Sequence, residues 1–218
     1  MKTIADSFSW LFRGQWRSMW LPGLLAVLLL PVAFIPLLGY AIAATRGAEL
    51  DTTTGPPKWE FSWRLVSDGF WTSLVVVVLT APFVLLLNPL ADLLLNARLW
   101  QMTDVPLSQL YAHVVAGFIL ALPWGLLLLA HMPHATARFA HSRKVNDLFA
   151  LPASFRAVRR DFATWNVVAA AIVTGWAIGV ACVGLLCIGI VPGLFYAILV
   201  SAHASAALHA KGANSPAR

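Results

Sequence analysis

Asn88, Asp92 and Asn96 stand at positions i, i+4 and i+8 of a long apolar block. On a helix this spacing sets two amides and a carboxylate along one face. An ionisable residue at membrane depth is a candidate for binding an ion or polar solute. Pro89 and Arg98 stand beside the stripe, which places it near a helix end at the membrane interface. There a carboxylate is tolerated and polar side chains satisfy the helix terminus, so both roles stay open.

His131, His134, Arg138 and His141 follow one helical face at spacings of three, four and three. Neutral imidazoles so aligned can take a transition metal. Zinc needs three or four converging ligands, and His141 lies about 10 Å along the axis from His134. No Cys or carboxylate joins them, so contact with lipid headgroups is the expectation for this face. His203 and His209 lie in the last apolar block beside Ser201 and Ser205, and His113 opens an earlier one. A lone intramembrane His can ligate a haem or similar pigment, but for His203 a hydrogen bond to a Ser or carbonyl of a neighbouring helix suffices. Cys182 and Cys187 are five apart and do not share a helical face, so they imply neither a disulfide nor a metal site. No cofactor follows from these residues.

The remaining chemistry is cationic. Arg138, Arg143, Lys144, Arg156, Arg159 and Arg160, with Phe155 and Phe162, form a basic amphipathic segment suited to anionic lipid headgroups. Gly175 and Gly179 form a small-xxx-small face for close helix approach, within this chain or against another. Phosphate-loop, HExxH, GxSxG and CxxC motifs are absent and the carboxylates are scattered, which argues against an enzyme.

The elements that carry these residues must live in lipid. Of 218 residues, 60% are hydrophobic and 11% charged, against about 25% charged in soluble domains, and the mean hydropathy is +0.77. The net charge of +6 sits in loops, which points to membrane orientation and not to nucleic acid. Residues 18–45, 69–91, 105–137 and 162–210 carry no charge. A helical span needs about 20 residues. The last block, roughly 74 Å as one helix, has to fold back on itself.

The predicted organisation is a single all-α membrane domain over 1–218. Residues 1–18 form an interfacial helix, with Ile4, Phe8, Trp10, Leu11 and Trp16 among Lys2, Arg13 and Arg17. Ala41-Ile42-Ala43 resembles a signal-cleavage site, but the stretch before it is too long for a signal peptide. Residues 19–45 hold Pro22, Pro31 and Pro36, and a break between the last two makes this block re-entrant or a kinked fifth helix. Four full transmembrane helices follow at 69–95, 107–132, 164–188 and 192–210. An outer turn lies at 100–106, a basic cytoplasmic segment at 133–163, and Trp20, Trp71, Trp100 and Trp165 form an aromatic belt near span ends. Six basic residues against two acidic ones in 132–164 place that segment inside. With a re-entrant first block both termini are cytoplasmic too, which labelling of a cysteine at Thr53 would test.

Pro36-Leu-Leu-Gly39-Tyr40, then Arg46-Gly47, Pro57-Lys-Trp59 and Asp68-Gly69, resemble the opening of a prokaryotic multi-pass membrane family catalogued as domain of unknown function 4013. The second half is similar as well, from Ala137-Arg-Phe-Ala through Phe155-Arg-Ala-Val-Arg159 to the apolar pair ending at His209. The chain departs from the pattern with Gly55-Pro56-Pro57-Lys58-Trp59 where Leu-Pro is usual. The resemblance implies the architecture and a prokaryotic inner membrane, and no activity.

Two functions are expected from these features. The first is a non-catalytic accessory or assembly subunit, docking on other membrane proteins or on itself through small-residue faces and on lipid through its basic segment. The alternative is a small-solute or ion permease or channel-like protein acting as an oligomer, motivated by the proline breaks and the Asn88/Asp92/Asn96 stripe.

Overall fold

The computed structural model describes residues 2–14, 16–50, 54–97, 105–184 and 189–213. Thr53, Trp100 with residues 98–104 of the expected outer turn, Cys187, the side chain of His209 and residues 214–218 lie outside the described residues. Among those described the chain is helical, with no strand. Helix α1 (Lys2–Ser9) and a 3-10 turn (Trp10–Phe12) precede α2 (Trp16–Leu28) and α3 (Leu30–Leu50). Then come α4 (Trp63–Asn96), α5 (Val105–Ser142), the short α6 (Asn146–Phe149), α7 (Leu151–Arg160), α8 (Phe162–Ala181) and α9 (Ile190–Ala213).

Five described stretches are long and apolar enough to cross a membrane: Leu30–Leu50, Trp63–Asn96, Pro106–Ser142, Phe162–Ala181 and Ile190–Leu208. The chain is a multi-pass α-helical membrane protein. Its residues group into two compact units, Met1–Ser73 with Ala130–Arg218, and Leu74–Leu129.

In the first unit, α2 and α3 fold back on one another about Leu29. A straight path would hold Gly14 and Thr54 about 60 Å apart at 1.5 Å per residue, yet Gly14 packs on the Thr54 carbonyl and Gly55 on that of Arg13. Both glycines have positive φ, 64° and 80°, a region in which a Cβ is strained. Trp20 and Gly23 of α2 and Tyr40 of α3 all meet the ring of Phe195 on α9. The corner therefore differs from the expected break between Pro31 and Pro36. Pro31 occupies the first turn of α3, where an N–H has no intrahelical partner to lose, and Pro36 is absorbed inside α3.

Residues 1–18, for which the sequence predicts an interfacial helix, pack onto the protein core. Trp10 and Leu11 are fully buried in a core with Met19, Leu37, Tyr40, Phe195 and Leu199. The Ser7 Oγ to His203 Nδ1 hydrogen bond, 2.9 Å, holds this segment on α9.

Helices α8 and α9 pack through the small residues picked out in the sequence. A methyl on Gly175 would fall 2.9 Å from Val200, and one on Gly179 would fall 2.6 Å from the Gly193 carbonyl. Gly175 and Gly179 thus make an intramolecular contact.

The second unit is built from the later part of α4 and the earlier part of α5. Ala91, Leu94, Ala112 and Ala116 form its small core, and Trp124 Nε1 donates to Thr80 Oγ1 at 3.1 Å. The apolar windows of α4 and α5 are only 17% and 11% buried, against 56% for α9. Such apolar, little-buried helices suit lipid or another protein as their surroundings.

Candidate functional site

Asn88, Asp92 and Asn96 lie along α4 as the spacing requires, and all three are exposed. They form no hydrogen bond or ion pair with another described residue. Leu85 and Leu93, 75% and 64% exposed, border them. The stripe is a polar strip among exposed apolar side chains of α4. Asn88 precedes the end of α4 by about 12 Å at helical rise.

The sequence places this histidine face at lipid headgroups; the structure turns part of it inward, with His134 half-buried and the His141 side chain 64% exposed. Helix α5 continues past the expected span end at 132, to Ser142, as the helical spacing of these residues requires. His131 is fully buried, with Nε2 2.8 Å from the Leu148 carbonyl and Nδ1 3.0 Å from Ser154 Oγ. A carbonyl only accepts, so Nε2 carries the proton and Nδ1 accepts from the Ser154 hydroxyl. Arg138 Nη2 completes the chain, donating to Ser154 Oγ at 2.9 Å and to the Asp147 carbonyl at 3.3 Å. Arg138, expected at headgroups, uses Nη2 to fasten α6 and α7 to α5, while its Nε is buried with no hydrogen-bond partner among the described residues. Among the described residues no group of three His, Cys, Asp or Glu side chains is placed to hold a metal ion.

A second polar node joins α3, α4 and α5. The Arg46 guanidinium pairs with the Asp68 carboxylate, Nη2 to Oδ2 3.2 Å, and their side chains are 20% and 14% exposed. Arg46 Nε also donates to the Ala140 carbonyl at 2.8 Å. That carbonyl is one of the last four of α5, which have no intrahelical donor, so Arg46 caps α5 from another helix. Beside it, Glu49 approaches His141 at 4.0 Å.

The backbone geometry that allows this node comes from the neighbouring residues. A methyl on Gly39 would overlap the Leu65 carbonyl, and one on Gly69 would overlap that of Ile35. Helices α3 and α4 therefore cross backbone to backbone. Tyr40 stacks on Trp59 at 4.3 Å and 12°, and its hydroxyl donates to the Pro57 carbonyl at 2.8 Å. Gly39, Tyr40, Arg46, Pro57, Trp59, Asp68 and Gly69, scattered in sequence, are one clasp.

These are the residues on which the sequence resemblance rested. The model of the family described as protein of unknown function, DUF4013, matches residues 23–191. The chain belongs to that family. It matches no curated protein and no solved structure. In this DUF4013 protein the clasp is structural chemistry: it fixes α3, α4 and the end of α5, and its charges satisfy each other.

The Arg46–Asp68 pairing was not legible beforehand. The available signal was that each charge borders an apolar block, which leaves few partners for it. His203 is placed as expected of a buried membrane histidine, with its hydrogen bond to Ser7 from α1 and not to a neighbouring span.

Of the cationic segment, Arg143, Lys144, Arg156, Arg159 and Arg160 are exposed. Asp147 accepts from Ser142 Oγ, and Asp161 Oδ1 accepts from Thr164 N at 3.1 Å. The five cations remain outward.

Proposed function

We propose that this protein is a non-catalytic accessory or assembly subunit of a larger complex in the prokaryotic cytoplasmic membrane. The observation that carries the reading is the stripe Asn88, Asp92 and Asn96, exposed among apolar side chains and with no partner among the described residues. Polar side chains facing lipid are unfavourable, and interhelical hydrogen bonds from such groups are worth about 0.6–2 kcal/mol each. A transmembrane helix of another subunit offers those partners.

The contacts of the first unit support a topology in which α2 and α3 are re-entrant and four spans follow. Gly14 meets Thr54, Arg46 meets Ala140, and Ser7 meets His203. These contacts draw the N-terminal segment, the 54–62 connection and the end of α5 to one face, which the exposed arginines make cytoplasmic.

A photo-crosslinking residue at Asn88 or Asn96 in native membranes is expected to capture one defined membrane protein. The same residue at Leu122, 69% exposed on α5, is expected to give lipid adducts. Only lipid adducts from all three positions would overturn the proposal. Capture of a second copy of the chain, with solute flux in vesicles abolished by Asp92→Asn, would replace it with an oligomeric permease.

A further inference from the structure

Helix α7 has one solvent-facing side, Pro152, Phe155, Arg156, Arg159 and Arg160, at i, i+3, i+4, i+7 and i+8. The opposite side is held inward by buried Ser154, bonded to His131 and Arg138. The exposed side cannot rotate away without breaking those bonds. Arg156 spends only its Nε, on the Pro152 carbonyl at 3.3 Å, and Arg159 and Arg160 form no ion pair with a described carboxylate.

One residue, Asp161, separates α7 from α8. Helix α8 has 20 residues, about 30 Å, which matches the hydrocarbon thickness. Its first turn, with Phe162 58% exposed and Trp165 5.4 Å from that ring, therefore lies at the interface. Arg159 and Arg160 sit within one turn of the same level, and Phe155 is 43% exposed among them.

We propose that this face of α7 is a binding seat for anionic phospholipid. Arg156, Arg159 and Arg160 donate to the headgroup phosphate, while Phe155 and Phe162 lie against the upper acyl chains. Guanidinium groups bind phosphate oxygens in a fixed fork, and phenyl rings between cations suit the amphipathic interface better than an acidic protein surface. The covalent link to α8 brings the headgroups within reach with no partner present.

The test is native mass spectrometry of the protein released from nanodiscs of phosphatidylcholine with one-quarter phosphatidylglycerol, counting retained anionic lipid. Wild type is expected to retain phosphatidylglycerol selectively. Arg156→Gln, Arg159→Gln and Arg160→Gln are each expected to weaken retention roughly fivefold, and the triple variant roughly a hundredfold. Lys58→Gln with Arg64→Gln, exposed cations elsewhere, should leave it unchanged. Wild-type retention should also fall as salt rises, a readout that needs no variant to fold.

Undiminished retention in the triple variant, equal loss in the Lys58/Arg64 control, or displacement by millimolar inorganic phosphate as effective as by lipid would overturn the proposal. Loss of a protein partner from membranes with lipid retention intact would overturn it as well.

Discussion

Replacing Asp68 with alanine removes the carboxylate from the Arg46 node and leaves a guanidinium only one-fifth exposed. At 3.2 Å and an effective dielectric of about 20, the pair's attraction is roughly 5 kcal/mol. Desolvation of both groups offsets part of this, while removing one partner from a buried pair costs about 3–5 kcal/mol. Residual exposure of both side chains and the bond that Arg46 keeps to Ala140 set the expectation at the lower end, about 3 kcal/mol, more than a hundredfold in the unfolding equilibrium. Arg46→Met should cost at least as much, because it strands the Asp68 carboxylate and the Ala140 carbonyl together. Arg46→Met with Asp68→Leu should cost clearly less than the sum, since neither variant then leaves an unpaired charge. The assay is reversible unfolding in mixed micelles of rising denaturing-detergent fraction, followed by circular dichroism. A loss below about 0.5 kcal/mol for Asp68→Ala, or strict additivity in the double variant, would refute the argument that this pair locks α3 to α4 and α5.

Gly39→Ala and Gly69→Ala are each expected to cost about 1–3 kcal/mol or prevent folding, because the new methyl meets a backbone carbonyl that cannot move alone; the same unfolding assay reads this. Arg143 has a φ of 61° just after α5, where glycine is usual, so Arg143→Gly should leave stability unchanged or raise it by up to about 1 kcal/mol. Ser154→Val should destabilise by about 2 kcal/mol, since His131 Nδ1 and Arg138 then lose a buried partner. Cysteines at Ala5, Lys58 and Asn146 should all label from the cytoplasmic face in membrane vesicles, and outer-face labelling at Lys58 would discard the re-entrant first pair.

The apolar blocks overlap α4, α8 and α9, although α4 begins at Trp63 and α8 ends at Ala181, because the membrane demands a fixed apolar length and the sequence displays it directly. Proline was a poorer guide. Its cost depends on whether the missing N–H had a partner, so Pro31 marks the start of α3 and Pro36 disappears into it. The candidate residues were legible as a set, but not the direction each one faces. Arg138 and His131 look like interfacial groups until Ser154, 16 and 23 residues away, is brought under them. Arg159 and Arg160 have no such long-range partner among the described residues and stay outward. A polar residue on an apolar helix reports that it needs a partner, and only the packing of other helices decides whether that partner is protein or headgroup.

That distinction separates the two units. In the first, Arg46, Asp68, His131 and Arg138 find partners within the chain, so their polarity stabilises this fold. In the second, the alanine core of Ala91, Ala112 and Ala116 brings α4 and α5 close without help from Asn88, Asp92 or Asn96. If the stripe served the fold, leucine at all three positions would destabilise the purified protein. Because the side chains have no partner among the described residues, the expected change in micelles is within about 0.5 kcal/mol, while cross-linking from the neighbouring exposed Leu85 to a membrane partner is lost. A stable variant that has lost its partner marks a surface kept for another protein, whereas a destabilised variant returns the stripe to the role of closing the end of α4.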